Sequence, residues 1–156
     1  MRFSALLLLA LLAVPALSQT PSATVHTAAE IAEHEAKLMA TATAAPTGFA
    51  VDAIDEFGSA RTLLVVRVHT GPAECHQFWA DQMVVNTGTV TVIYGGTMQG
   101  IRPNGTAPGE TLGDSVTGGS EIVLHAGDTL HIPAGIPHWV KLAPGTTTAY
   151  IVFKEK

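Results

Sequence analysis

One string of twelve residues, GDTLHIPAGIPH from Gly127 to His138, limits the possible folds of this chain more than any other part of it. The pattern predicts a β-strand, a tight Pro-Ala-Gly turn and a second strand that begins with a histidine. Pro133 fixes φ and removes a backbone donor, and Gly135 supplies a conformation that residues with a Cβ resist. Pro137 restricts the backbone just before His138, so the imidazole leaves the turn in a defined direction. His138 is therefore a candidate ligand or catalyst, although a hairpin turn whose histidine only caps a strand would have the same sequence.

Length and composition indicate a single domain that is held together by its apolar core. The chain has 156 residues, of which 47% are hydrophobic and only 13% are charged. This length suits one domain and is short for two. The single cysteine, Cys75, excludes an intrachain disulfide, so stability has to come from the core. The basic residues are scattered and form no patch, so nucleic acid is not an expected partner.

The first 18 residues have the pattern of a cleaved secretory signal peptide. Arg2 is followed by an apolar run over residues 5–14 and then by two small residues, Ala16 and Ser18, on either side of Leu17. Such an order predicts cleavage near residues 18–19. The apolar run is too short to cross a bilayer, which takes about 20 residues. We therefore expect an exported protein, periplasmic or secreted, with a formal charge of −6 after loss of Arg2 and no membrane contact after cleavage.

Residues 19–45 are expected to form a lead-in and then one amphipathic helix. The lead-in, to about residue 25, is rich in Pro, Ser and Thr. Thr27 and Glu30 are spaced as a capping box, and apolar residues follow at helical intervals. This pattern predicts a helix that ends near Thr41 and packs one apolar stripe on the rest of the domain.

From residue 46 onward the chain is expected to be all β. A hairpin is predicted between residues 48–54 and 61–69, and further strands over residues 83–85, 89–94, 121–125, 129–132, 138–142 and 147–153. Short strands separated by Gly and Pro, with no second helix, are typical of a sandwich or a barrel. Residues 95–119 have little apolar periodicity and predict a long loop, either a functional lid or a flexible surface excursion.

The spacing Gly-x5-Pro-x-Gly-x2-His in the opening string resembles the second sequence motif of the cupin superfamily. Every fixed position up to His138 is met, whereas Leu142 stands where the motif usually has Asn. The resemblance extends over roughly residues 60–153 and is best to small single-domain bacterial cupins. It implies that residues 46–156 form a cupin barrel, the jelly roll also called a double-stranded β-helix.

A weaker match to the first cupin motif, His-x-His-x3–4-Glu-x6-Gly, lies upstream. His76 and Gly88 match this motif, Glu74 takes the place of its first histidine and Asp81 the place of its glutamate. The resemblance implies that the mononuclear metal ligands are Glu74, His76, Asp81 and His138. For this mixed set of imidazoles and carboxylates the expected divalent ions are Mn²⁺, then Fe²⁺, then Zn²⁺.

Strand geometry supports this ligand set. Residues two apart in a strand point the same way, so Glu74 and His76 face one side and Cys75 the other. Two buried carboxylates are costly unless a cation or hydrogen bonds compensate them, and a divalent metal would do so. Other roles stay open for both carboxylates. Glu74 could contact the ligands without binding the metal itself, or act as a general base, and Asp81 could simply begin a strand.

The function implied by the resemblance is that of an exported metalloenzyme. Its substrate would be a small oxygen-bearing molecule bound at the metal, in an isomerase, lyase or dioxygenase reaction with Glu74 as the candidate base. The main alternative is a non-catalytic barrel that binds or senses a metal or a small molecule, and a purely structural barrel is a third. A homodimer is an open option. His125 and His131 are expected to be strand-surface residues.

Overall fold

The computed structural model describes residues 23–156, so the predicted signal peptide, residues 1–18, lies outside the described residues. Within the described range, helix α1 covers Ala28–Ala44. It begins at the predicted capping box: the Thr27 hydroxyl accepts from the Glu30 backbone N–H at 3.2 Å, and the Glu30 carboxylate accepts from the Thr27 N–H at 2.8 Å. The helix continues three residues past the predicted end at Thr41, because Ala42 is fully buried against the sheet and the first helix breaker is Pro46.

Twelve strands follow α1 in the described part of the chain, most of them at or near the predicted positions. They are β1 Phe49–Glu56, β2 Ala60–Arg67, β3 Ala73–His76, β4 Ala80–Tyr94, β5 Thr97–Gln99, β6 Arg102–Pro103, β7 Glu110–Gly113, β8 Ser115–Thr117, β9 Ser120–His125, β10 Thr129–Ile132, β11 His138–Lys141 and β12 Thr148–Glu155. All pairings are antiparallel, and the predicted hairpin is β1 with β2. No helix among residues 23–156 has the length and apolar character needed to cross a membrane.

The two runs predicted at residues 83–85 and 89–94 are joined in one strand, β4, which carries the curvature of the sheet. Its first half pairs with β10 and β12, and its second half pairs with β9 and β11. Between the halves lies Gly88 with φ of +79°, where an added Cβ would lie 2.2 Å from the carbonyl oxygen of Thr147. Only glycine fits both this conformation and this close approach. The curled sheet therefore depends on the glycine that the first motif predicted.

Residues 95–119, predicted as a long loop, contain four short strands. β5 pairs with β8, and β7 pairs with β3 on one side and β6 on the other. The loop prediction was wrong because strands of two to four residues are too short to show an alternating pattern in the sequence. This segment adds one wall to the barrel.

The two faces of β2 pack against different parts of the protein, one against α1 and the other against the barrel interior. Leu64 and Val66 are fully buried under α1, where they meet Ile31 and Leu38. Residues of odd number in β2 face the interior instead, in line with the strand period of two. The interior core is a cluster of apolar side chains from six strands: Val65, Met83, Val85, Val90, Val92, Leu124, Ile132, Val140, Tyr150 and Val152.

Candidate metal centre

The four side chains predicted as metal ligands lie together in a cavity of about 230 Å³ inside the barrel, called here the inner cavity. Glu74 and His76 come from β3, Asp81 from the start of β4 and His138 from the start of β11. β11 pairs with β3 in a register that sets His138 opposite Glu74. One donor atom from each of Glu74, His76 and His138 lies within 4.8 Å of the others.

The turn between β10 and β11 aims His138 as its sequence predicts. Gly135 has φ of +78°, and its backbone N–H donates to the carbonyl oxygen of His76 at 2.8 Å. This hydrogen bond ties the turn directly to the strand that carries His76. Cys75, with the opposite parity, packs near Trp139 outside the inner cavity. Burial raises the pKa of the Cys75 thiol, and the Glu110 carboxylate adds to the rise, which disfavours the reactive thiolate.

Both histidines turn Nε2 toward the inner cavity. His76 Nδ1 lies 2.5 Å from Glu110 Oε2, and His138 Nδ1 lies 3.2 Å from the carbonyl oxygen of Ile136. Both partners are acceptors, so each Nδ1 carries a proton and Nε2 is the ring nitrogen available to a metal. Burial lowers the pKa of His138, although Glu74 and Asp81 act in the other direction, so its imidazole is neutral. A neutral imidazole with its second nitrogen held by an acceptor is the form that binds metals.

Glu74 is held in place by Arg67. The Arg67 Nη2 donates to Glu74 Oε1 at 2.6 Å, and its Nε donates to the Tyr150 hydroxyl at 2.8 Å. The other carboxylate oxygen of Glu74 lies 3.8 Å from His76 Nε2. Burial alone would raise the pKa of Glu74, but the Arg67 guanidinium beside it holds the pKa below its usual value. Glu74 is therefore an ionised carboxylate directed at the histidines.

Asp81 differs from Glu74 because it already has a short ion pair. Its Oδ1 accepts from Lys154 Nζ at 2.5 Å, and both residues are almost fully buried. Its Oδ2 lies 3.6 Å from His76 Nε2 and 3.8 Å from His138 Nε2. Asp81 thus borders the three-residue cluster and has one oxygen occupied by a lysine.

Comparisons with solved structures support the fold. The protein TT1209 from Thermus thermophilus is 16% identical, with 71% of this chain and 86% of that chain covered and a TM-score of 0.52. The FeII form of HppE is 13% identical, with 69% and 50% covered and a TM-score of 0.51. These neighbours have cupin barrels. The chain has the cupin fold. The sequence resemblance to cupins is thereby confirmed as a likeness of fold.

Other comparisons add little to this assignment. No family model matches the sequence, and no curated protein matches it. Oxalate oxidase in complex with glycolate is 20% identical, with a TM-score of 0.49, and 73% of this chain is covered. This chain spans about half the length of the oxalate oxidase chains, since 54% of each is covered.

The cupin barrel contains charged residues at this centre that sequence reasoning missed: Arg67, Glu110 and Lys154. Arg67 and Lys154 lie inside the barrel because every second residue of a strand points to the same face, and both fall on the inward-facing positions of β2 and β12. This alternation was visible in the sequence. Glu110 had no comparable signal, since it belongs to the segment predicted as a loop. Arg67 and Lys154 already compensate Glu74 and Asp81, so the two buried carboxylates do not by themselves require a metal ion.

The donor set of the cupin barrel fits a divalent ion. Two free imidazole nitrogens and one ionised carboxylate converge within the inner cavity, which suits Mn²⁺, Fe²⁺ or Zn²⁺. Three carboxylates and three cations line the inner cavity, so their formal charges cancel: Glu74, Asp81 and Glu110 against Arg61, Arg67 and Lys154. A divalent ion would change the sum to +2. The loaded centre would then favour one further anion.

Proposed function

We propose that the cupin barrel binds one divalent metal through Glu74, His76 and His138 and acts as a metal-dependent enzyme on a small oxygen-bearing molecule. The observation that carries the proposal is the convergence of two free Nε2 atoms and one ionised carboxylate in the inner cavity. Asp81 is the fourth candidate ligand, and it would have to share its carboxylate with Lys154.

Mn²⁺ and Fe²⁺ are the proposed ions, with Zn²⁺ next. A set of two histidines and one carboxylate with open positions is typical of non-haem Fe²⁺ sites, and Mn²⁺ accepts the same donors. When bound, the ion would polarise an oxygen atom of the substrate as a Lewis acid.

The residues around the centre have separate tasks in this proposal. Arg67 keeps the Glu74 carboxylate ionised and oriented, and Glu110 orients the His76 ring through its Nδ1 proton. Because the pKa of Glu74 is lowered, we propose Glu74 as a ligand and not as the base. Asp81 Oδ2, which faces both histidines, is the better placed proton acceptor. The apolar walls of the inner cavity limit water and so strengthen these electrostatic contacts.

The decisive measurement is the metal content of protein purified without an affinity tag. We expect about one equivalent of metal per chain by elemental analysis, or loading to that level with Mn²⁺ or Fe²⁺. His138→Ala should lose the metal, whereas His131→Ala should keep it, because His131 is an exposed residue of the neighbouring strand. Wild-type protein that neither carries nor accepts a metal would refute the proposal, and full occupancy in His138→Ala would remove His138 from the ligand set.

Turnover separates an enzyme from a binding or sensor barrel. Metal-loaded protein should convert at least one compound from a panel of carboxylic acids, sugar acids and enolisable carbonyl compounds, and the metal-free protein should not. Binding without any metal-dependent product would favour the non-catalytic alternative.

Export is a further part of the proposal and is supported by the N-terminal sequence pattern. Expression in a bacterial host should yield a mature chain that begins near residue 19 in the periplasm or medium. An intact mass that includes residues 1–18 would contradict cleavage.

A further inference from the structure

Arg61 is a cation on the inner face of the barrel with no anionic partner among residues 23–156. It shares the inward face of β2 with Arg67, and the pairing of β12 with β2 sets it opposite Lys154. Lys154 is in turn opposite Asp81 and bonds to it. On its other side Arg61 is opposite Glu56 of β1, which is exposed and forms no ion pair with it in the described structure. Like charges placed opposite each other in a sheet are unfavourable, so an anion bound at Arg61 would relieve the pairing of Arg61 with Lys154.

A second pocket adjoins the inner cavity at Arg61. It is called here the outer pocket and includes Arg61, Phe78, Trp79, Glu110 and Lys156 in its lining. The Arg61 guanidinium carbon lies 4.8 Å from the centre of the Trp79 ring, and Lys156 Nζ lies 4.7 Å from it. Two cations are thus gathered on one aromatic ring, which holds the Arg61 side chain in a defined position. Arg61 and Glu110 line both the outer pocket and the inner cavity, so they mark the junction between the two.

Two buried polar atoms at this junction have no hydrogen-bond partner in the described structure. They are Arg61 Nε, a donor, and Glu110 Oε1, an acceptor. Glu110 uses its other oxygen to hold His76. Buried polar groups in folded proteins nearly always have partners, so an unpaired donor and an unpaired acceptor next to a cavity indicate a ligand that supplies both. A carboxylate would accept from Arg61, and a hydroxyl would donate to Glu110.

We propose that the outer pocket binds the carboxylate of a small hydroxy acid through Arg61, while a hydroxyl of the same molecule donates to Glu110 Oε1. This assignment rests on the proposed function, because the remainder of the molecule would extend to the metal in the inner cavity. It also agrees with the positive formal charge of the loaded inner cavity, which favours an anion. Arg61 is then the residue that selects acids over their neutral analogues.

Ligand binding can be followed through Trp79 without any assay of activity. The other tryptophan, Trp139, lies away from the outer pocket and donates from Nε1 to the Gly71 carbonyl oxygen at 2.7 Å, so Trp139→Phe leaves Trp79 as the sole tryptophan among residues 23–156. This variant, loaded with Zn²⁺ and verified by elemental analysis, is the parent protein for the titrations. The probes are gluconate, lactate and lactamide, the last of which replaces the carboxylate of lactate by a neutral amide.

Gluconate and lactate should change the emission of Trp79 in a saturable way, and lactamide should bind the parent at least about tenfold more weakly than lactate. Arg61→Gln should weaken the acids by a similar factor and leave lactamide unchanged, and Arg61→Lys should be intermediate. Lys141→Gln in the same parent is the control, since it also removes one cation of the barrel but Lys141 does not line the outer pocket. It should bind the acids as the parent does.

The assignment is overturned if neither acid binds the loaded parent, if lactate and lactamide bind equally, or if Arg61→Gln binds the acids as the parent does. The comparison of lactate with lactamide needs no change at Arg61, so it remains decisive if Arg61→Gln fails to fold. A parent that cannot be loaded with Zn²⁺, Mn²⁺ or Fe²⁺ refutes the proposed metal centre instead, and elemental analysis detects this before any acid is added.

Discussion

Replacement of Lys154 by methionine tests whether the buried ion pair with Asp81 stabilises the barrel. Asp81 is 6% exposed and Lys154 is 4% exposed, and their Oδ1 and Nζ atoms are 2.5 Å apart. Methionine keeps much of the aliphatic stem and removes the charge, which leaves the Asp81 carboxylate buried beside the rings of His76 and His138. Loss of one partner from a buried pair costs about 3–5 kcal/mol of unfolding free energy. For a domain of this size that loss corresponds to a fall in Tm of about 10 °C.

The assay is thermal unfolding of metal-free protein, followed by circular dichroism, for three variants. Lys154→Met should show the full loss, and a second substitution, Asp81→Asn, should recover most of it because no unpaired charge remains. Lys37→Met is the control: Lys37 pairs with Glu33 at 2.7 Å on the exposed face of α1, where solvent screens the pair and its loss should leave the Tm almost unchanged.

Addition of Mn²⁺ extends the same experiment to the metal centre. Without Lys154, both oxygens of Asp81 are available, so Mn²⁺ should raise the Tm of Lys154→Met more than it raises the Tm of wild-type protein. If metal-free Lys154→Met unfolds at the same Tm as the wild-type protein, the ion pair does not stabilise the barrel. An equal effect of Mn²⁺ on both proteins would show that Asp81 is not a latent ligand.

Three further predictions concern other parts of the molecule. Glu110→Gln should weaken metal affinity about 10–100-fold in competition with a chelator, because a neutral amide replaces the carboxylate that orients His76; unchanged affinity would deny Glu110 this role. Leu64→Ala should lower the unfolding free energy by about 2–5 kcal/mol in urea titrations, since Leu64 is fully buried between α1 and the sheet, and a loss below about 1 kcal/mol would contradict that packing. Thr27→Ala should cost about 1 kcal/mol at neutral pH through loss of the helix cap. Hydrogen bonds from the Thr27 backbone and side chain lower the pKa of Glu30. The part of the loss that comes from the Thr27 hydroxyl donating to the Glu30 carboxylate is therefore present above the ordinary glutamate pKa of 4.5 and disappears as the pH falls through the lowered value. The difference between wild type and Thr27→Ala should shrink in acid without vanishing, because the bond from the Glu30 N–H to the Thr27 hydroxyl does not titrate; a difference that does not change with pH would contradict the hydroxyl–carboxylate bond.

Features that depend on a few neighbouring residues could be predicted from the sequence. The turn that aims His138 follows from the fixed φ of Pro133 and the positive φ of Gly135, and the cap of α1 follows from two side chains three residues apart. The common direction of Glu74 and His76 follows from the period of two in a strand. The joining of two predicted strands into β4 was not predicted, because the break at Gly88 looks like a turn until the close approach of Thr147 is known.

By itself, then, the sequence determined the local geometry of the strands that carry the candidate ligands and, through its motif spacing, the cupin fold. Only the tertiary structure decided which charges surround those ligands. Arg67 and Lys154 reach Glu74 and Asp81 from β2 and β12, and Glu110 reaches His76 from a segment with no strand pattern. Such contacts join residues 7, 34 and 73 positions apart, so they depend on how the sheet curls and not on local propensity. The physical reason is that strand parity decides which side of the sheet a side chain occupies, whereas its partners depend on long-range register.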